Sequence, residues 1–170
     1  MICPHCNHEN YPGVDSCIWC LLDLSSFDVP IPQDRIEKSL VEDPVSILKP
    51  SPAVLLHAST TVAQAIQVML DQNVGAILVL NDASEIAGIF SERDLLTRVS
   101  DDPTGYHDRP VSDYMTANPE TVKVGDKLAF VLHKMDGGSY RHIPVLKDGK
   151  PVGMISVRDM LRHILGLCRK

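Results

Sequence analysis

Hydrophobic and polar positions follow the same order twice along the chain after residue 50. Each copy opens with a short apolar strand, at residues 54–56 and 121–122. An amphipathic helix follows, because apolar residues recur at the i, i+3, i+4, i+7 spacing of one helix face. These residues are Val62, Ala65, Ile66, Met69 and Leu70 in the first copy, and Leu128, Val131, Leu132 and Met135 in the second. Each copy is therefore predicted to begin with a strand and a helix.

Two further strands and a closing helix complete each copy, and a polar turn joins the two strands. The strands are predicted at residues 76–80, 86–90, 143–146 and 151–155, and the closing helices at 92–99 and 157–167. The order in each copy is thus β-α-β-β-α. We expect a mixed α/β (α+β) fold in which two such units follow each other.

Individual residues also recur at a fixed spacing, which marks an internal repeat. Val45-Ser46 recurs as Val111-Ser112, 66 residues later, while Gly88 recurs as Gly153, 65 residues later. The difference of one residue falls in the polar turn, where deletions are tolerated.

The last strand of each copy runs into a repeated motif. Residues 88–94 and 153–159 both contain a glycine, two apolar residues and then Ser-x-Arg-Asp. The serine would cap the following helix, where free N–H groups and the helix dipole favour an anion such as phosphate. The carboxylate could accept hydrogen bonds from a ribose diol, and the arginine could pair with phosphate. The candidate binding residues are Ser91, Arg93, Asp94, Ser156, Arg158 and Asp159.

Helix capping is the alternative explanation of this motif. Ser-x-x-Asp is close to a capping box, which needs no ligand. Because capping does not require the arginine, and because both copies contain it, we favour a ligand site.

The composition is that of an ordinary folded protein. The chain has 170 residues, of which 44% are hydrophobic and 22% charged, enough for one or two domains with a core. Its apolar runs are far too short to span a bilayer, and no secretion signal is recognisable, so we expect a cytoplasmic protein without a membrane partner. The net charge of −6 argues against general nucleic-acid affinity.

Two C-x-x-C pairs near the N-terminus predict a metal site formed by Cys3, Cys6, Cys17 and Cys20. Four thiolates match tetrahedral structural zinc, and metal binding would supply the folding energy of so small a segment. Iron uses the same ligands and stays open as an alternative. Asn7 would adopt a positive φ in the first turn. The segment resembles short prokaryotic zinc ribbons, in which a glycine usually stands at this position.

The predicted ribbon, residues 1–26, contains no lysine or arginine, whereas Glu9, Asp15 and Asp23 are acidic. Phosphate contacts require cations, so we expect the ribbon to contact protein, with nucleic-acid binding as the alternative. A proline-containing linker, residues 27–40, follows, and a short helix is predicted at 34–41.

The order of elements, the unit length of about 60 residues and the closing Gly-h-h-Ser-x-x-Asp motif resemble a tandem pair of CBS domains. The likeness covers residues 41–168, with the units placed at 41–104 and 105–170. Thr116, Pro119 and the stretch from Arg141 to Val145 add to it. The first unit departs from the pattern, with Gly75-Ala76 in place of Arg-His, which would weaken phosphate contact in one cleft.

The resemblance implies a pseudo-twofold, homodimeric module that binds adenosine compounds in clefts between the paired sheets. Asp94 and Asp159 would hold the ribose, with Ser91 and Ser156 beside the sugar or phosphate. The residues implied at the phosphate are Arg93, Arg158, Arg141 and His142, and those implied at the base are Thr116, Ala76, Ile77 and Ile143. The basic residues favour AMP, ADP or ATP over S-adenosylmethionine.

The expected function is a non-catalytic regulator that relays adenine-nucleotide binding to a protein partner. The sequence reveals no nucleophile beside a base, no open metal site and no paired catalytic acids. His57, His107, His133 and His163 are interpreted as surface residues, Gly137-Gly138 as a turn, and Cys168 as an unpaired thiol.

Overall fold

The computed structural model of the protein describes residues 2–11, 14–24, 32–100 and 105–169. The chain divides into two compact units, residues 1–35 and 36–170. Residues 27–31 of the expected linker lie outside the described residues. None of the helices within the described ranges is long and apolar enough to cross a membrane.

The small unit is built from two similar turns. In the first, the backbone N–H of Cys3 donates to the carbonyl of His8, and in the second that of Cys17 donates to Leu22, at 2.9 and 2.8 Å. Asn7 has a φ of 56°, which confirms the predicted left-handed conformation. Leu21 occupies the equivalent place with a φ of 59°, a conformation in which a leucine is strained.

The larger unit contains the predicted β-α-β-β-α order twice, after one additional helix. The helices are α1 (Arg35–Glu42), α2 (Val62–Asp71), α3 (Glu92–Asp94), α4 (Leu128–Gly138) and α5 (Val157–Cys168). The strands are β1 (Leu55–His57), β2 (Ala76–Leu80), β3 (Ile86–Ser91), β4 (Thr116–Ala117), β5 (Val122–Lys123), β6 (His142–Lys147) and β7 (Lys150–Ser156). The helix predicted at 92–99 is α-helical only over α3 and continues as a π-helix at Leu95–Val99.

The two sheets share one topology, because β1 runs parallel to β2 and β5 runs parallel to β6, while β2–β3 and β6–β7 pair antiparallel. The segment that precedes each repeat crosses to the other one. β4 pairs with β3 of the first repeat, and Ser51 forms an isolated bridge to Met154 of the second. Val45 accordingly lies in the core of the second repeat and Val111 in that of the first. Each repeat therefore completes its core with a segment from the other.

Strand β2 is buried on both faces, which explains its uninterrupted apolar sequence. Ile77 and Val79 pack into the core beneath α2, whereas Ala76 and Leu78 pack with Ile89 and Met154. Since Met154 belongs to the second repeat, this second cluster joins the two repeats.

Helix α4 continues through Gly137 and Gly138 and ends at Ser139, which has a φ of 52°. The prediction of a turn at the two glycines is therefore wrong. A Cβ on Gly138 would lie 1.9 Å from the ring of Tyr140, so this glycine makes room for the side chain that packs beneath the helix end.

His163 is half-buried and links α5 to α1, so the prediction of a surface residue is wrong for it. Its Nε2 lies 2.6 Å from the hydroxyl of Ser39, and this hydroxyl donates to Asp43 Oδ2 at 2.5 Å. Because the hydroxyl proton points to Asp43, His163 Nε2 is the donor to Ser39. His57, His107 and His133 are exposed, as predicted.

Candidate ligand clefts and metal site

Both Ser-x-Arg-Asp motifs form a capping box at the start of a helix. The backbone N–H and the hydroxyl of Ser91 both donate to Asp94 Oδ2, at 2.9 and 2.7 Å. Ser156 donates in the same way to Asp159 Oδ2, at 2.8 and 2.7 Å. Capping thus occupies one carboxylate oxygen of each aspartate.

The other carboxylate oxygen of each aspartate meets a different donor. Asp94 Oδ1 accepts from the hydroxyl of Thr116 at 3.0 Å, and Arg98 Nε lies 3.7 Å away. Asp159 Oδ1 accepts from Arg162 at 3.0 Å. Sequence analysis did not identify Arg98 or Arg162, although their i+4 and i+3 spacing from the aspartates on a helix was a usable signal.

Each motif lines a cleft. Cleft A, of about 270 Å³, is bounded by Ser91–Asp94, by residues 116–120 and by residues 138–142. Cleft B, of about 530 Å³, is bounded by residues 156–159, by 51–54 and by 73–76. The boundaries correspond through the internal repeat, since residues 117–120 follow 51–54 by 66 positions. The structure thus contains two related clefts of unequal size.

Most of the candidate residues line these clefts. Cleft A contains Ser91, Arg93, Asp94 and Thr116, cleft B contains Ala76, Ser156, Arg158 and Asp159, and both contain Arg141 and His142. Ile77 and Ile143 are fully buried in the helix-facing cores instead. Since alternate residues of a strand point to opposite faces, Ile77 cannot share the cleft side of Ala76. The expectation that Ile77 and Ile143 border a ligand is corrected accordingly.

Arg93 spans one side of cleft A. Its guanidinium donates to the carbonyl of Ser139 at 3.1 Å, which fastens the start of α3 to the end of α4. An arginine at this position therefore has a structural role in addition to any contact with a phosphate.

Gly75, Glu92, Arg141 and His142 line both clefts and form the wall between them, which we call the shared wall. Glu92 N donates to Gly75 O at 3.1 Å, and Val157 N donates to Arg141 O at 3.0 Å. These two contacts are equivalent through the repeat. Gly75 therefore occupies the position that corresponds to Arg141, and the shared wall contains one guanidinium instead of two.

His142 is half-buried in this wall, and burial lowers its pKa below the usual 6.5. The nearby Arg141 and Arg158 lower the pKa further, while Glu92 and Asp159 oppose the shift. His142 is therefore neutral at pH 7, and Arg141 is the cation of the shared wall.

A serine, a histidine and an aspartate also meet at the surface, a contact that sequence analysis missed. His57 Nδ1 lies 2.8 Å from the Ser59 hydroxyl, and its Nε2 lies 2.9 Å from Asp82 Oδ1. All three residues are exposed, and the Asp82 side chain is 99% accessible. Serine hydrolases act in a water-excluded site with a buried aspartate, so this geometry is that of a hydrogen-bonded contact on the surface.

The four N-terminal cysteines come together as predicted, with all four sulfurs within 4.8 Å of one another. Cys3 and Cys20 are 3.6 Å apart at their sulfurs, as are Cys6 and Cys17. A tetrahedral zinc ion with bonds of about 2.3 Å requires S···S separations of about 3.8 Å. The donor set and its spacing therefore fit a tetrahedral metal ion.

In the absence of a metal ion, the surroundings favour a thiolate at Cys17 and oppose one at Cys6. Burial acts to raise the pKa of Cys17, but the N–H groups of Cys20 and Trp19 and the Asn10 amide lower it to about 6. For Cys6, an N–H from His8 lowers the pKa, but burial and the neighbouring thiols outweigh it and raise the pKa to about 12. A divalent cation would relieve the mutual repulsion of four thiolates.

Comparison with known proteins identifies the family to which the chain belongs. The profile of the CBS domain matches residues 45–101 and 111–166. An uncharacterized 17.7 kDa protein of Acidianus ambivalens is 30% identical over 122 residues, which are 71% of this chain and 73% of that protein. The CBS domain-containing protein CBSCBSPB1 of Arabidopsis thaliana is 31% identical over 120 residues, and the match spans 71% of this chain and 22% of the relative.

Solved structures have the same fold. An uncharacterized conserved protein from Pyrococcus horikoshii superposes with a TM-score of 0.67 at 29% identity, covering 74% of this chain and 93% of the other. The family match and the structure agree on a duplicated unit, since there are two matched segments, two sheets of the same topology and two equivalent clefts. The chain belongs to the CBS domain family and carries two CBS domains in tandem.

Proposed function

We propose that this protein is a non-catalytic regulator that binds an adenine nucleotide of the AMP, ADP or ATP class in its CBS clefts and relays that binding to a protein partner. The observation that carries the proposal is the presence of the Ser-x-Arg-Asp motif at the edge of both clefts. In each motif the aspartate uses one oxygen for capping and turns the other to a second donor.

The ribose is the group we assign to the aspartates. In cleft B, a ribose diol would take the place of Arg162 at Asp159 Oδ1, which is now 3.0 Å from the guanidinium. The exchange replaces one charged donor by two hydroxyl donors and frees Arg162 for a phosphate. Arg162 is 74% exposed, so its side chain can move without disturbing the core.

The clefts also offer surfaces for a base and a phosphate. Ala53, Ala76 and Met154 give cleft B an apolar side at the junction of the repeats, which suits a purine ring. The phosphate would lie near the guanidinium groups of Arg141 and Arg158. A volume of about 530 Å³ lies within the usual range of small-molecule sites.

One ligand-bound structure of a CBS protein contains a ligand of this class, and another contains adenosine compounds outside it. CBSX2 was solved in complex with AMP, and another CBS domain pair with 5-methylthioadenosine and S-adenosyl-L-methionine, at 23% and 18% identity to this chain. At that distance the likeness establishes a common fold, so the ligand class proposed here depends on the cleft residues. S-adenosylmethionine is the competing ligand.

The cysteine cluster completes the proposal as a structural zinc site in a ribbon of residues 1–26, joined by a linker of residues 27–40 to CBS domains at 41–104 and 105–170. Zinc bound by Cys3, Cys6, Cys17 and Cys20 would fix the two turns of the ribbon. The free thiols suit a reducing compartment such as the cytoplasm.

The ribbon is the part that we assign to the protein partner. Trp19 is 74% exposed and Leu21 is 78% exposed, and the segment contains no lysine or arginine. Such an apolar, acidic surface does not suit a phosphate backbone, so nucleic-acid binding is the less favoured alternative. Assembly as a homodimer is a further part of the proposal.

Isothermal titration calorimetry of the zinc-loaded protein tests the ligand class. We expect AMP or ATP to bind more tightly than S-adenosylmethionine, because the clefts provide arginines for phosphate. Tighter binding of S-adenosylmethionine would change the ligand class, and the absence of binding by all three would refute the sensor function. A salt-dependent gel shift of generic duplex DNA would instead support the alternative.

A further inference from the structure

The two clefts differ in the charges that line them. Cleft A contains Arg93 and Arg141 together with the three carboxylates of Glu92, Asp94 and Glu120. Cleft B contains three arginines and two carboxylates, namely Arg141, Arg158, Arg162, Glu92 and Asp159. Among the residues that line each cleft, carboxylates outnumber arginines in cleft A and arginines outnumber carboxylates in cleft B, although in cleft A Glu120 pairs with Lys134 and Asp94 lies beside Arg98.

Two of the four arginines that line the clefts, Arg93 and Arg162, donate hydrogen bonds to other residues. Arg93 donates to the Ser139 carbonyl at 3.1 Å, and Arg162 donates to Asp159 Oδ1 at 3.0 Å. In cleft A, moving Arg93 to a phosphate would break the contact between α3 and α4. Cleft A consequently depends on the shared wall for its cation more than cleft B does, since cleft B also has Arg158.

The shared wall supplies that cation once. Arg141 lines both clefts, while the equivalent position in the first repeat is Gly75. Space at Gly75 is restricted, because a Cβ there would lie 3.1 Å from the His142 ring and 3.3 Å from the Glu92 carboxylate. One guanidinium therefore faces two clefts that each would use it for a phosphate.

We propose that the two clefts bind phosphorylated ligands antagonistically, because Arg141 can pair with a phosphate in only one cleft at a time, and that cleft B takes it. This inference rests on the proposed function, since it assumes that both clefts accept adenosine compounds. Once Arg141 has turned to cleft B, Arg93 is the one remaining arginine among the residues that line cleft A. An uncharged nucleoside does not compete for the guanidinium.

The structure offers a matched pair of blocking variants. Ala117 lines cleft A and Ser51 lines cleft B, both are exposed, and they are equivalent through the repeat. A117W fills cleft A and leaves cleft B open, whereas S51W does the reverse. The titration of each variant with adenosine, which should show one site, checks that the block works.

The experiment compares AMP and adenosine in calorimetric titrations of the full chain. We expect AMP to bind A117W protein more tightly than S51W protein. In the unmodified protein, we expect AMP to bind cleft A about tenfold more weakly when cleft B is filled than it binds S51W protein. We call the ratio of these two dissociation constants the AMP ratio, and the corresponding ratio for adenosine should be about 1. Arg141→Gln should bring the AMP ratio to about 1 and weaken AMP binding to cleft B about tenfold.

Arg169→Gln is the charge control, because Arg169 is exposed and lines neither cleft, and it should leave the AMP ratio at about ten. An AMP ratio near 1 in the unmodified protein overturns the antagonism. A ratio that persists in Arg141→Gln protein overturns the role of Arg141, and tighter AMP binding to S51W protein overturns the assignment to cleft B. All three leave the proposed function intact, whereas the absence of AMP and adenosine binding to every variant removes both.

Discussion

Replacing Asp159 by asparagine separates helix capping from ligand binding. The asparagine can still accept the N–H and hydroxyl of Ser156 through its amide oxygen, so the capping geometry at α5 is retained. Its amide nitrogen then takes the place of Oδ1, the oxygen that now accepts from Arg162. An NH₂ group donates hydrogen bonds and cannot accept a ribose hydroxyl, so the variant loses the proposed ligand contact.

The structure sets the size of both effects. Two charge-assisted hydrogen bonds within the cap become neutral ones, which costs about 1 kcal/mol of unfolding free energy. The Arg162 contact adds little, because that side chain is 74% exposed. Loss of the hydrogen bonds from the ribose to a carboxylate costs about 2–3 kcal/mol, which weakens AMP binding about 30- to 150-fold.

Ser156→Ala is the matched comparison, because it removes one capping bond and leaves Asp159 charged. The Ser156 hydroxyl donates to Asp159 at 2.7 Å, so its proton is not available to a ligand. We expect this variant to lose about 1 kcal/mol of stability and to bind AMP within about threefold of the unmodified protein. Urea unfolding and calorimetric titration measure the two quantities on the same samples. If Asp159→Asn lowers stability but leaves AMP affinity within threefold, the aspartate is a capping residue alone and the reasoning is refuted.

Three other predictions follow from single features of the structure. His142 has a lowered pKa in the folded state, so its stabilising contribution is complete above its unfolded pKa of about 6.5 and is lost as the pH falls through the folded value. The free energy of unfolding of His142→Gln protein should therefore fall less between pH 7 and pH 5 than that of the unmodified protein. An equal fall in both proteins contradicts the lowered pKa. Trp19 is the single tryptophan, and its ring stacks on that of His8 with 5.3 Å between the ring centroids. A chelator should therefore change the tryptophan fluorescence, added zinc should reverse the change, and Cys168→Ser protein should respond in the same way. Fluorescence that the chelator does not affect argues against the metal site. Gly138→Ala should destabilise the CBS pair by about 1–3 kcal/mol in urea unfolding, since its Cβ meets the Tyr140 ring, whereas Gly137→Ala, which meets no atom within 4 Å, should not.

Much of the fold was readable from local sequence patterns. The apolar spacing from Val62 to Leu70 predicted α2 because its buried face, which includes Val62, Ala65 and Met69, follows the period of a helix. Asn7 was predicted at a positive φ because its type and position both favour one. Ser39 and His163 lie 124 residues apart, and no local pattern predicts their contact.

The exchange of segments between the repeats was not predictable from the pattern either. Val45 and Val111 fall within the units predicted at 41–104 and 105–170, yet each lies in the core of the other repeat. Hydrophobicity identifies a residue that is buried, but it does not identify the core in which the residue is buried.

The sequence predicted only some of the cleft residues correctly, because it contains local patterns but not the packing of the repeats. The Ser-x-Arg-Asp motifs are local, so their positions at the helix starts followed from the sequence. Ile77 was assigned to the wrong side because an apolar run such as Ala76–Leu80 is buried on both faces and carries no alternation. The double role of Arg141 depends on the packing of two sheets, which the sequence of either repeat does not contain.

The most direct test of the central claim is a crystal structure of the zinc-loaded protein grown with AMP. We predict AMP in cleft B, with its ribose hydroxyls within hydrogen-bonding distance of Asp159 Oδ1, its phosphate beside Arg141 and Arg158, and Arg162 turned away from Asp159. AMP bound elsewhere, with the Arg162–Asp159 contact intact and both clefts filled only by water, would contradict the account.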